Sequence, residues 1–167
     1  MPKVRFSTTM GDIVVQLDEE KAPLSVKNML EYVEAKHYDG TVFHRVIDGF
    51  MIQGGGYDVE LKKRPTRSPV ENEGHNGLKN KRGSVAMART PDVNSATSQF
   101  FVNVVDNDFL DHKDTTQEGY GYAVIGEVVE GMDVVDRIKA VPTGAKGSFS
   151  KDCPLEPVII QSATVVE

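Results

Sequence analysis

Phe43-His44-Arg45-Val46-Ile47-Asp48-Gly49-Phe50-Met51-Ile52-Gln53-Gly54-Gly55-Gly56 sets one arginine and one glutamine inside an otherwise apolar, strand-forming run. Side chains two apart on a strand share a face, so Phe43 and Arg45 are expected to point the same way, and so are Met51 and Gln53. Such a face joins a cation to an apolar pocket. A guanidinium is costly to bury unless its donors find acceptors, so an arginine placed here asks for a partner or a ligand. The run recurs in kind at Ser98-Gln99-Phe100-Phe101-Val102-Asn103. Phe100 and Phe101 are adjacent and must face opposite sides, so that one fills a core while the other lines a pocket.

Working outward, Val4, Phe6 and Thr8 on one side of Thr9-Met10-Gly11-Asp12, and Ile13, Val15 and Leu17 on the other, read as a hairpin with one buried face. Pro23 opens a helix at its first turn, and Val26, Met29, Leu30 and Val33 follow at helical spacing before Asp39-Gly40 turns the chain. Residues 57–80 are polar and broken by Pro65, Pro69, Gly74 and Gly77, which predicts a long surface excursion of the kind that borders sites. Strands are expected over 83–88, 100–105, 120–129 and 158–166, with a short helix over 131–138. Seven or so strands with one helix early and one late do not alternate as a doubly wound sheet does. The pattern therefore predicts an antiparallel barrel or sandwich with helices over its open ends.

At 167 residues the chain is read as one domain, 1–167, able to bury a core without disulfides or metal. Nineteen basic against twenty-five acidic side chains leave a net charge of −6, which argues against a nucleic-acid partner. The basic cluster Lys62, Lys63, Arg64 and Arg67 reads as a solvated loop. Cys153 is the single cysteine and excludes an internal disulfide. The N-terminus turns polar at once and no run approaches a membrane span, so the reading is a soluble cytoplasmic protein.

Gly54-Gly55-Gly56 is not followed by the Lys-Ser/Thr of a phosphate loop; its expected use is close approach of backbone or positive φ. His37, His44, His75 and His112 lack ligand spacing, so no metal is expected, and His44 is read as a hydrogen-bonded structural histidine. Ser84, Ser95 and Ser98 lack the elbow context of a hydrolase nucleophile.

Phe43-His44-Arg45-Val46-Ile47, Gly49-Phe50-Met51-Ile52-Gln53-Gly54-Gly55, Met87-Ala88-Arg89, Ser98-Gln99-Phe100-Phe101, and Gly126-Glu127-Val128 followed by Gly131-Met132-Asp133-Val134-Val135 together resemble the cyclophilin-type peptidyl-prolyl isomerases. The likeness is to their short bacterial cytoplasmic form and covers essentially the whole chain. It implies a mainly β fold, an eight-stranded antiparallel β-barrel capped by two α-helices, with the groove on the outer face. It also implies cis-trans isomerisation of the bond preceding proline, assisting protein folding, with no cofactor or metal. The partners implied are proline-containing peptides and unfolded or folding protein chains, met by a monomer. By motif, Arg45 is the catalytic residue, Phe50, Met51, Phe101 and Leu110 form the proline pocket, and Gln53, Ala88, Arg89 and Gln99 hold the substrate backbone or brace Arg45.

Two positions depart from many eukaryotic members: Phe109 stands where they carry tryptophan, implying weak cyclosporin binding, and Tyr122 stands where they carry a groove histidine. Thr90 to Thr97 also differs from the common eukaryotic version in length and sequence. The rival readings are a proline-recognition module using the same groove without catalysis, and a chaperone acting through exposed apolar surface.

Overall fold

The computed structural model describes residues 1–166. The alternation at the N-terminus forms the expected hairpin of β1 (Lys3–Thr8) and β2 (Gly11–Leu17), paired Phe6 to Ile13 and Val4 to Val15. α1 (Pro23–Glu34) follows, and then β3 (Thr41–Val42), β4 (Arg45–Ile47), β5 (Met51–Gly54), β6 (Ser84–Met87), β7 (Phe100–Asn103) and β8 (Val124–Glu130). After α2 (Met132–Lys139) come β9 (Thr143–Lys146), β10 (Phe149–Pro154) and β11 (Ile159–Val166). The main sheet has nine strands in the order β3-β11-β1-β2-β8-β6-β7-β5-β4, and every pairing is antiparallel. Its first and last strands are the two halves of one run, residues 41–47. Counting that run once leaves the eight strands of the expected barrel.

Period-two alternation divides this wall into an inner and an outer face. Inward, Phe6, Val15, Ile52, Val85, Phe100 and Ile125 join α1's Val26, Met29 and Val33 and α2's Val135 and Ile138 in the main core. Outward, Met51, Ala86, Phe101 and Val124 gather with Leu110 in a second, smaller cluster. Phe100 and Phe101 thus separate as expected. Among the described residues, no helix is long and apolar enough to cross a membrane.

Several expectations need correction. The strand around Phe43 breaks at Phe43-His44, so Phe43 points into the core while Arg45 is exposed on the outer face. The break lets one continuous run bend across the closure of the barrel. His44 is buried but its Nδ1 has no hydrogen-bond partner; its ring lies against Tyr57 and Phe149 instead. The β9–β10 hairpin, rich in Gly, Ser and Lys, lacks apolar alternation and was not expected; it packs on β4. The strand expected over 120–129 begins only at Val124, because Gly121 at φ +77° ends a loop that must pass against the main chain of Leu110 and Asp111.

The basic cluster is solvated at Lys62, Lys63 and Arg67, as expected, but its backbone and Arg64 are tied to the fold. One Nη of Arg64 donates to the carbonyls of His37 and Asp39 at 2.8 and 2.6 Å, and the Arg67 N–H donates to Tyr32 Oη at 2.8 Å. The same excursion completes α1. Ala22 cannot cap the helix, and the carboxylate of Glu73 accepts from the N–H groups of Ser25 at 2.7 Å and Leu24 at 3.3 Å. A long loop is thereby anchored at its far end by the helix that it caps.

Candidate functional site

The outer cluster floors an open depression of about 130 Å³, lined by nine side chains. β4 supplies Arg45, β5 supplies Met51 and Gln53, and the turn between them supplies Phe50. Phe101 comes from β7, Ala88 and Arg89 from the end of β6, and Leu110 and Tyr122 from the two sides of the loop before β8. All nine belong to the set expected from sequence.

Arg45 pairs with Gln53 across β4 and β5, with its guanidinium carbon 6.0 Å from the Phe50 ring centroid. Among the described residues the guanidinium makes no hydrogen bond or ion pair, so its donors are unengaged at a residue that lines the depression. Gln53 does not brace it by hydrogen bond. Its Nε2 donates to Gln99 Oε1 at 3.0 Å. Gln99 stands just outside the lining, and Gly56 lies directly beneath it: a Cβ at Gly56 would sit 2.5 Å from Gln99 Cγ. The triple glycine therefore serves close approach, as expected. The Ala88 N–H donates to the Gln99 carbonyl at 3.0 Å.

Phe109 also stands outside the lining. It is 62 % exposed and stacks on Phe50 with centroids 5.7 Å apart, which extends the apolar wall beyond the depression as a ledge. Tyr122 closes the opposite side, edge-on to Phe101 at 5.7 Å.

Sequence reasoning missed the support under this surface. A chain of buried amides runs from Phe50 to Tyr122. Asn107 Nδ2 donates to the Phe50 carbonyl at 2.9 Å and to Asn103 Oδ1 at 2.8 Å, and Asn103 Nδ2 donates to Asn80 Oδ1 at 3.1 Å and Ser84 Oγ at 2.8 Å. Asn80 in turn donates to Asp111 and the Tyr122 carbonyl. Buried and mutually satisfied, these groups fix the two walls relative to each other. The one sequence signal was an asparagine ending the apolar run of β7. Leu78 and Val124, also beneath the groove, looked like ordinary loop and strand residues.

His44 borders the site through Arg45. Burial first, and the neighbouring Arg45 charge second, push its imidazole down to about 4, so it is neutral near pH 7. Among the described residues no three His, Cys, Asp or Glu side chains gather as metal ligands would.

Residues 3–165 match the family described as cyclophilin type peptidyl-prolyl cis-trans isomerase/CLD. The chain is 55 % identical over 164 residues to peptidyl-prolyl cis-trans isomerase B of Escherichia coli K12, covering 98 % of this chain and 99 % of that protein. It is 51 % identical over 166 residues to the isomerase cyp18 of Streptomyces antibioticus, covering 99 % of each. Among solved structures, a Cryptosporidium parvum cyclophilin type isomerase, crystallised in the presence of the dipeptide Ala-Pro, superposes with a TM-score of 0.79 at 25 % identity, covering 99 % of each chain.

Proposed function

We propose, from the premise that this chain belongs to the cyclophilin-type peptidyl-prolyl cis-trans isomerases and is itself such an enzyme, that Arg45 is its catalytic residue and that the floor of Phe50, Met51, Phe101 and Leu110 holds the proline ring. The observation that carries this reading is an unengaged guanidinium beside a depression floored by Phe50, Met51, Phe101 and Leu110.

Rotation about an amide faces a barrier of about 18–20 kcal/mol because nitrogen donates its lone pair into the carbonyl. In the twisted transition state that lone pair returns to the proline nitrogen, which becomes pyramidal and basic. A donor placed there makes a hydrogen bond that the planar ground state cannot offer. An arginine suits the task because its fork is planar and keeps its charge. The apolar floor anchors the ring while the residue before proline swings, so anchoring and rotation fall to different parts of the site. No covalent intermediate is needed, and each ~1.4 kcal/mol of preferential binding gives about tenfold in rate.

Gln53, held by Gln99, presents its amide toward the substrate backbone together with Ala88. Phe109 and Tyr122 bound the groove at its two ends. The open shape suits segments of chains still folding, so we assign the protein to protein folding in a bacterial cytoplasm, as a one-domain monomer over 1–167, whose last residue, Glu167, lies outside the described residues. With phenylalanine on the ledge, cyclosporin should bind weakly.

Proton exchange spectroscopy on an Ala-Pro-Phe peptide tests the site. Wild type should accelerate cis-trans exchange, and a folded Arg45→Ala variant should lose more than about tenfold, at least ~1.4 kcal/mol of transition-state stabilisation. Near-normal turnover in that variant would sink the assignment. Peptide binding without acceleration by the wild type would instead favour the proline-recognition module.

A further inference from the structure

Arg89 lines the groove, yet its fork is engaged by the protein's own main chain. Nε donates to the Gly121 carbonyl at 3.0 Å and Nη2 to the Gln117 carbonyl at 3.0 Å. Nη1 reaches the carbonyls of Thr90 at 2.9 Å and Pro91 at 3.3 Å. Every acceptor is main chain, and the acceptors belong to the two loops that flank the depression, one following β6 and the other preceding β8. The Gln117 amide reinforces the bridge by donating to Pro91 at 2.6 Å.

The guanidinium also covers Tyr122, with Cζ 4.8 Å from the ring centroid. Tyr122 is thus held between a cation on one side and the edge contact with Phe101 on the other, while its N–H donates to Leu110 O at 2.9 Å. Asn72 adds a second donor to the Gly121 carbonyl at 3.1 Å. Charge-assisted bonds to fixed carbonyls, with a cation–π contact, make a rigid rivet out of one side chain.

We infer that Arg89 is a positioning residue rather than a substrate ligand: it ties the two flanking loops together and sets Tyr122 as the fixed far wall of the groove. This rests on the reading of the depression as the proline site. A wall built in advance spares the substrate the cost of ordering it, so the effect falls on binding, while rotation remains with Arg45.

Kinetics at varied Ala-Pro-Phe concentration on wild type, Arg89→Ala, Arg89→Lys, Tyr122→Ala and the Arg89→Ala/Tyr122→Ala double variant test it. Arg89→Ala should raise KM about fivefold or more with kcat within about twofold. Lysine keeps a charge near Tyr122 but cannot bridge the loops, and should recover only part of the loss. The double variant should be no worse than Tyr122→Ala alone, the signature of two residues acting as one. An unchanged KM, a loss confined to kcat, or additive losses would overturn the inference.

A readout independent of turnover separates this inference from the site assignment. In Arg89→Ala the amide and ring resonances of Gly121, Tyr122 and Phe101 should shift, with Phe6 and Val15 of the inner core unmoved. Unshifted Tyr122 resonances overturn the inference whatever the kinetics show. Full turnover in Arg45→Ala overturns the site assignment and leaves those resonances to decide this one.

Discussion

Acidification should weaken this protein through one buried imidazole. His44 is 4 % exposed, lies 4.6 Å from the Tyr57 ring and 5.3 Å from Phe149, and has an Nδ1 with nothing to bond to. Its pKa falls from an ordinary 6.5 to about 4, chiefly by burial. Between those values the unfolded chain binds a proton that the folded chain refuses, so the stability present above the unfolded value is lost as pH falls toward the folded one. Going from pH 7 to 4.5, linkage gives a loss of about 2 kcal/mol from this residue alone, which for a chain of this size is a fall of roughly 4–8 °C in unfolding midpoint. His37 is also pushed down by burial, against a raising hydrogen bond to Gly55, and acts in the same direction, so His44 has to be isolated. His44→Phe keeps a ring against Tyr57 and Phe149 but cannot titrate. Urea unfolding of both proteins at both pH values should show the variant losing about 2 kcal/mol less than wild type on acidification. An equal loss in the two, or a His44 resonance that titrates near its ordinary value, would refute the reasoning.

Glu73→Ala should cost about 1–2 kcal/mol, since it strips the Leu24 and Ser25 N–H groups in the first turn of α1 of their carboxylate acceptor; denaturant unfolding measures it, and faster amide exchange at Leu24 and Ser25 should accompany it. Arg45→Lys should stay folded yet recover only a minor part of the turnover lost in Arg45→Ala, because an ammonium lacks the planar fork; the exchange assay on Ala-Pro-Phe decides. Phe109→Trp should tighten cyclosporin binding with kcat little changed, and titration calorimetry showing an unaltered Kd would count against the ledge as a contact.

The wall of the barrel could be read in sequence because alternation is local: Val4, Phe6, Ile13 and Val15 declare their face without reference to anything distant. The groove is legible by another route: the motifs that carry Arg45, Gln53 and Phe101 resemble the family's in order and spacing, and Tyr122 follows from its distance to Gly126. What escaped depends on contacts between remote segments. Nothing near Glu73 marks it as the cap of a helix that begins at Pro23, and nothing near Arg89 says that Gly121 and Gln117 will supply its acceptors. The β9–β10 hairpin escaped for a different reason: Thr143-Gly144-Ala145-Lys146 has no buried face to alternate, and the hairpin is held by Phe149 on His44 and Tyr57. Regular alternation puts Phe43 on the face of Arg45, and only closure of the sheet imposes the break that turns it inward.

The sheet's two edges, β3 and β4, span two and three residues. A longer open edge would offer unpaired N–H and C=O groups to any extended chain that came near, which is how sheets recruit strands into aggregates. An enzyme that receives extended proline segments one after another runs that hazard at every encounter. Here both edges belong to one short bent run, the β9–β10 hairpin packs against one of them, and that same edge carries the charged side chain of Arg45. A chain that meets these edges therefore finds no strand to grow upon.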